Sequence, residues 1–217
     1  MIKESIKKNV RKYLRLPRNI KDRLRLRNKD FTLITSNCVG GIIYHELGLP
    51  FLSPTINLYM EASDFVRFCS DMNHYLNAPI TQVHDKNTTY PVARIKDITI
   101  HCVHYSSFDC FVDIWNRRKE RIREDNIFFM MTMRDGCTYE DIKKFDALPY
   151  KNKVVFVNRV MPEISSAYLI PGTILSTKDD YHSVDALTTF KGKFTGLRYI
   201  DDFDYVRFLN EGQWWKK

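Results

Sequence analysis

Apolar positions along this chain follow two rhythms, and the switches between them mark its elements. Ile2, Ile6, Val10 and Leu14 stand four apart among lysines and arginines, which predicts a helix over residues 1–16 that Pro17 ends. A second short basic run carries Ile20 and Leu24, again four apart. At Phe31 the helical period gives way to a compact β-branched run, Phe31 to Thr35, which predicts a strand. Ser36-Asn37-Cys38-Val39-Gly40 breaks that run, and a helix through Ile42, Ile43, Tyr44 and Leu47 begins at Gly41 and stops at Gly48. Pro50 and Pro54 make the following stretch a loop.

Ser63 reads as the cap of a further helix, with Phe65, Phe68, Cys69, Met72 and Leu76 on its inner face and Pro79 barring continuation. Residues 79–105 read as strands, with Ile98, Ile100, Cys102 and His104 alternating against Thr99, His101, Val103 and Tyr105. Ser106 and Asp109 form a capping signal for a helix from Phe108 to Arg123. Ile127 to Thr132 and Lys153 to Asn158 read as buried strands, separated by a second capping signal at Thr138 and Asp141. Ala167 to Ile170 reads as a short strand or helix end, Lys178-Asp179-Asp180 as a turn, and Asp202 to Leu209 as a short helix. Strands alternating with helices predict an α/β fold, a three-layer α/β/α sandwich around a mainly parallel, Rossmann-like sheet.

Charge divides the chain. Residues 1–29 hold twelve Lys or Arg against Glu4 and Asp22, whereas the other residues are close to neutral. The expected organisation is therefore a basic amphipathic arm over residues 1–29 and a single α/β domain over residues 30–217. Such an arm packs on the body or lies on an anionic membrane surface. Nucleic acid is a poor fit, because Tyr13 is the arm's one aromatic residue and no reading motif accompanies it. No apolar signal-like core opens the chain, and no apolar run approaches the ~20 residues of a membrane span, so the expected location is the cytoplasm, with the arm free to meet the inner membrane. Five scattered cysteines with no CxxC pair predict reduced thiols, no disulfide framework and no metal.

The candidate chemistry sits at strand ends. In α/β proteins ligands bind in the crevice beyond the C-terminal ends of the strands, where the first N–H groups of a helix favour negative charge and lower a cysteine's pKa. Cys38 stands at such a point, and Gly40 and Gly41 would let backbone approach a ligand closely. The bland reading is a buried cysteine in a tight turn. His104, at the end of a predicted strand, is a candidate general base or a structural histidine. Met133-Arg134-Asp135-Gly136-Cys137 repeats the plan of the first loop, which makes Cys137 a rival thiol and Asp135 a candidate partner for a base. Arg117, Arg118 and Arg121 crowd the end of one helix and suit phosphate, beyond what the helix dipole requires.

Three blocks carry a resemblance: Ser36 to Tyr59, Ile100 to Phe129 and Arg134 to Phe156. They resemble a bacterial family of unknown function found with exopolysaccharide and capsule biosynthesis genes, some of whose members carry acetyltransferase or polysaccharide-biosynthesis labels. The family's motifs fall on Ser36-Asn37-Cys38, Gly40-Gly41, Tyr44, Ser53-Pro54, Asn57, His104-Tyr105, Trp115, Arg117-Arg118, Arg121, Asp125-Asn126 and Asp135-Gly136-Cys137-Thr138. Family members often have an aromatic residue where Val39 stands.

Residues and resemblance together lead to one expectation: an acyltransferase using acetyl-CoA on a sugar or nucleotide-sugar. Cys38 would be the nucleophile or else line the acyl pocket, His104 would be the base for the thiol or the acceptor hydroxyl, and the Asn37 amide with the N–H groups of Val39 to Gly41 would be the oxyanion donors. Arg117, Arg118 and Arg121 would take the phosphates. The rivals are a glycosyl or phosphoryl transferase acting on a lipid-linked sugar, and a non-catalytic binding protein of polysaccharide assembly.

Overall fold

Three runs of apolar residues with no polar alternation become three neighbouring strands. The computed structural model describes residues 2–171, 184, 186–192 and 195–212. The predicted turn at Lys178-Asp179-Asp180 lies outside the described residues, as do the side chains of Ile2 and Ile6. Strands β1 (Thr32–Thr35), β5 (Ile127–Thr132), β6 (Lys153–Val157) and β7 (Ala167–Leu169) form a parallel sheet in the order β1-β5-β6-β7. Thr35 pairs with Met130 and Thr132 with Phe156, so the C-terminal ends of β1, β5 and β6 lie along one edge.

A second sheet is antiparallel: β2 (Ile80–Val83), β3 (Val92–Ile95) and β4 (Ile98–His101), in that order. The single long strand expected up to Tyr105 is therefore corrected. The alternation is right as far as it goes, with Ile98 and Ile100 buried and Thr99 and His101 half-buried. It ends at His101, where the backbone turns as the Val103 N–H donates to the His101 carbonyl at 3.0 Å.

β1 is an edge strand, and its free side is covered by side chains rather than by another strand. The Tyr44 hydroxyl takes the Leu33 N–H at 3.0 Å and donates to the Phe31 carbonyl at 2.9 Å. The Thr35 N–H donates to Thr55 Oγ1 at 3.0 Å. Open strand edges invite mispairing; these bonds close this one and fix helix α2 (Val39–Leu47) against β1. Gly40 permits that contact, because a Cβ there would fall 2.8 Å from the Thr35 side chain.

Helix ends differ from expectation in instructive ways. The predicted single helix from Ser63 splits at Asp71 into α3 (Ala62–Ser70) and α4 (Met72–Leu76), and the cap position is Glu61. Helix α5 (Phe108–Lys119) is capped by Ser107, one residue past the predicted Ser106, with Ser107 accepting from the Cys110 N–H. The capping box of α6 (Tyr139–Asp146) is formed by Thr138 and Asp141 as the spacing indicates. Helix α7 (Tyr205–Glu211) follows a 3-10 turn, Tyr199–Asp202, and buries Val206 and Phe208.

The largest departure is at the N-terminus. Helix α1 runs from Ile2 to Arg25 straight through Pro17. A proline inside a helix costs about 3 kcal/mol through its missing donor and ring clash. Tertiary bonds on both sides hold this one. Before it, Arg15 is buried and forms ion pairs with Glu46 of α2 and with Asp201. After it, Asp22 is buried between Arg18 at 2.9 Å and the Tyr205 hydroxyl at 3.0 Å. Leu26 joins the core. The expected arm is thus docked on the body from Arg15 onward.

Candidate functional site

β1 and β5 are neighbours, so the loops that follow them lie side by side. Ser36 ties them together: its N–H donates to the Met130 carbonyl at 3.1 Å and its hydroxyl accepts from the Thr132 N–H at 3.2 Å. Beyond this junction a cavity of about 210 Å³ is lined by Asn37, Cys38, Tyr59, Val103, Arg134, Leu187 and Thr188. Sites that enclose a whole drug-sized ligand span ~300–1,000 Å³. This one suits a small group, with the rest of a ligand outside it.

Cys38 stands at the N-cap of α2, half-buried, its Sγ 3.8 Å from the Leu58 carbonyl. The helix N-terminus does not make it a ready thiolate. Burial pushes its pKa up, Arg134 opposes that, and Asp135 adds to it; the net is above the ordinary thiol range. The expected lowered pKa is corrected accordingly. The rival thiol, Cys137, is buried and pushed up to about 12, first by burial and then by Asp141 and Asp135. Cys69 and Cys102 are core residues.

The Asn37 side chain engages one of the expected oxyanion donors. Its side-chain carbonyl accepts the Val39 N–H at 3.2 Å, which removes that N–H from any oxyanion site. The Asn37 amide NH₂ donates to no described group, and the residue lines the cavity. Gly40 and Gly41 are packing residues: besides the Thr35 contact, a Cβ on Gly41 would lie 3.2 Å from Asn57 Oδ1.

Arg134 and Asp135 arrive through a tight turn. The Cys137 N–H donates to the Arg134 carbonyl at 3.2 Å, and the central residues Asp135 and Gly136 have φ of 54° and 73°. Two consecutive left-handed residues define the type I′ pattern, which suits Asp and Gly. Arg134 Nε lies 3.0 Å from Asp135 Oδ2, and the Asp135 carbonyl accepts the Ala62 N–H at 3.0 Å, which anchors α3 to the turn. The Asp135 charge acts on Cys38, Tyr59 and His101 alike.

His104 does not line the cavity. It sits exposed on the turn after β4, with its backbone N–H on the Asn57 carbonyl at 3.3 Å. The histidine next to the site is His101. A bridge pairs it with Tyr59, and the two rings stack at 4.3 Å with planes 3° apart. Tyr59 in turn meets Tyr90, hydroxyl to hydroxyl at 3.2 Å. His101 Nδ1 is buried with no hydrogen-bond partner among the described residues. Burial lowers its pKa, against the opposing charges of Glu61, Asp85, Asp135 and Asp64, so the ring is neutral at neutral pH.

Arg117 and Arg118 at the end of α5, and Arg121 just past it, stay apart from this cavity. Arg118 is held by the Ile56 carbonyl at 3.3 Å, the Tyr105 hydroxyl at 2.9 Å and the Phe51 ring at 5.0 Å. Arg117 and Arg121 are exposed, and none of the three lines the cavity. Among the described residues no group of three or more His, Cys, Asp or Glu converges as a metal site would. None of the described helices is long and apolar enough to cross a membrane.

Sequence reasoning missed Tyr59, His101 and Arg134. His101 was detectable in part, since the β4 alternation sets it opposite Ile100. Tyr59 becomes a site residue only through its bridge to β4, a contact across 42 residues that no local pattern announces.

The fold and cavity define an α/β protein with a thiol, a guanidinium and an aromatic wall at the C-terminal edge of a parallel sheet. Residues 9–210 match the family described as Domain of unknown function (DUF1919), and the chain belongs to that family. It is similar to a protein of Haemophilus influenzae (strain ATCC 51907 / DSM 11121 / KW20 / Rd) described as "Uncharacterized protein", with 40% identity over 207 residues, 95% of this chain and 97% of the relative.

The raised pKa of Cys38 predicts its reactivity. Below that pKa the thiolate fraction grows about tenfold per pH unit. Iodoacetamide labelling of Cys38, followed by peptide mapping, is therefore expected to climb steadily from about pH 7 to 9. A plateau reached below neutral pH would contradict this account.

Proposed function

We propose that the cavity is the active site of an acyltransferase that moves an acetyl group from acetyl-CoA to a sugar or nucleotide-sugar of cell-surface polysaccharide synthesis. The observation that carries the proposal is the half-buried Cys38 thiol at the start of α2, sharing one small cavity with Arg134 and the Asn37 amide. The cavity's size suits an acetyl group. The aromatic surface of Tyr59, with Tyr90 and His101 behind it, suits the apolar face of a sugar ring. The family resemblance to polysaccharide-associated proteins supports the same acceptor class, and the use of acetyl-CoA fits a cytoplasmic protein. The layering that goes with this reading is the Rossmann-like α/β/α sandwich.

In the first step Cys38 Sγ attacks the thioester carbonyl. The new thioester forms on Cys38, the bond to the coenzyme sulfur breaks, and the thiol proton ends on the departing coenzyme thiolate. Because the resting thiol is protonated, a base must relay that proton; we assign this to neutral His101, whose ring stacks on the cavity-lining Tyr59. Arg134 and the Asn37 NH₂ are the donors available to the developing oxyanion. In the second step the acceptor hydroxyl attacks the acyl-cysteine, its proton passes back to Sγ, and the ester leaves.

Thermal unfolding with and without acetyl-CoA tests the donor. A ligand at ~100 times its dissociation constant adds about 2.7 kcal/mol of stability, several degrees for a chain of this size. A shift of that order is expected. Its absence, with a shift from nucleotide-sugars alone, would transfer the cavity to glycosyl or phosphoryl transfer.

A further inference from the structure

We propose that α1 docks this protein on an anionic lipid surface through an apolar stripe that the fold turns outward. The inference does not depend on the proposed chemistry. At about 100° per residue, Arg15 and Asp22 share one side of α1 and face the body, where both are buried. The apolar residues lie on the other side: Tyr13, Leu16, Ile20 and Leu24 form its centre, with Val10 and Leu14 beside them. All are exposed, Tyr13 at 74% and Leu24 at 82%. This inverts the usual arrangement, in which a helix buries its apolar stripe and exposes its charges.

The orientation is fixed. Arg15 binds Glu46 and Asp201 at once, and its Nη1 also donates to the Gly196 carbonyl at 2.8 Å. A Cβ on Gly196 would come within 2.6 Å of the Leu14 backbone, so α1 lies tight against that loop. The stripe is therefore presented without any partner to induce it.

Charge identifies the occupant. Exposed Lys12 borders the centre of the stripe on one side, exposed Lys21 stands on the other between Val10 and Leu14, and from residue 10 to the end of α1 the one acidic residue, Asp22, faces inward. An apolar stripe bordered by lysines and arginines is the pattern of helices that lie in the plane of a membrane interface. Anionic lipid attracts each such cation. A second copy of the chain is disfavoured, because pairing two such faces would bring like charges together.

Flotation of the full chain with vesicles tests this. The probes are phosphatidylcholine alone and phosphatidylcholine mixed with phosphatidylglycerol. Binding to the anionic vesicles at low salt is expected, weakening with added salt and at least about tenfold weaker on neutral vesicles, as roughly two lost lipid-facing cations imply. Leu16→Glu combined with Leu24→Glu is expected to reduce binding at least about tenfold without moving the melting temperature, since both positions are exposed. Lys12→Gln with Lys21→Gln, which leaves the apolar stripe intact, is expected to remove most of the preference for anionic lipid. Absence of binding to anionic vesicles at low salt would overturn the proposal. So would binding that neither double variant alters, or self-association through α1 with no vesicle binding.

Discussion

Replacing Arg15 with alanine is expected to destabilise the fold by about 3–5 kcal/mol, the range for breaking a buried ion pair from one side. Arg15 is 3% exposed and meets Asp201 through Nη1 at 2.6 Å and Nη2 at 2.9 Å, while its other contacts hold Glu46. Arg198 reaches Glu46 as well, at 3.0 Å, but no other described side chain spans both carboxylates as the Arg15 fork does. Removing it leaves two buried acids short of positive charge. Urea unfolding measures the effect, and a loss below about 1 kcal/mol would mean that the network contributes no more than a surface pair. The network also sets an acid limit. Burial pushes the Asp201 carboxyl up, but hydrogen bonds from Arg15 and the Arg198 backbone outweigh it, so its pKa lies below the usual range. A depressed carboxyl contributes stability that is fully present above its unfolded pKa of ~3.9 and is lost as pH falls through the folded value. Arg15→Ala should therefore flatten the acid side of the stability profile.

The second large effect is on chemistry. Cys38→Ala is expected to lower release of free coenzyme thiol from acetyl-CoA by at least about a thousandfold, the scale seen when a covalent nucleophile is removed. Its melting temperature should stay near that of the native chain, because Cys38 is half-buried and, among the described residues, Sγ has one weak polar contact, at 3.8 Å. Full turnover in that variant would eliminate the covalent route and leave Cys38 as part of the cavity wall.

How much of this was legible in the sequence depends on the range of the interaction concerned. The strand runs 31–35, 127–132 and 153–158 were readable because continuous burial leaves a continuous apolar run. The edge shared by the loops after β1 and β5 followed from their parallel plan. Pro17 misled because the forces that carry α1 past it are tertiary: Arg15 to Asp201 spans 186 residues. His104 misled because the backbone turns after His101: Cys102 is still buried as the alternation predicts, but His104 is turned outward and exposed. The pKa direction at Cys38 was not readable either. A helix N-terminus argues for a lowered value, and the burial that reverses it comes from tertiary packing, which no local pattern announces.

The most direct test of the central claim is to incubate the full chain with acetyl-CoA, without acceptor, quench in acid and map acyl groups by peptide mass spectrometry. The account predicts acetylation confined to Cys38, absent in Cys38→Ala and removed by hydroxylamine as a thioester. Acetyl groups on surface lysines alone, with Cys38 unmodified while coenzyme thiol is released at the native rate, would contradict it.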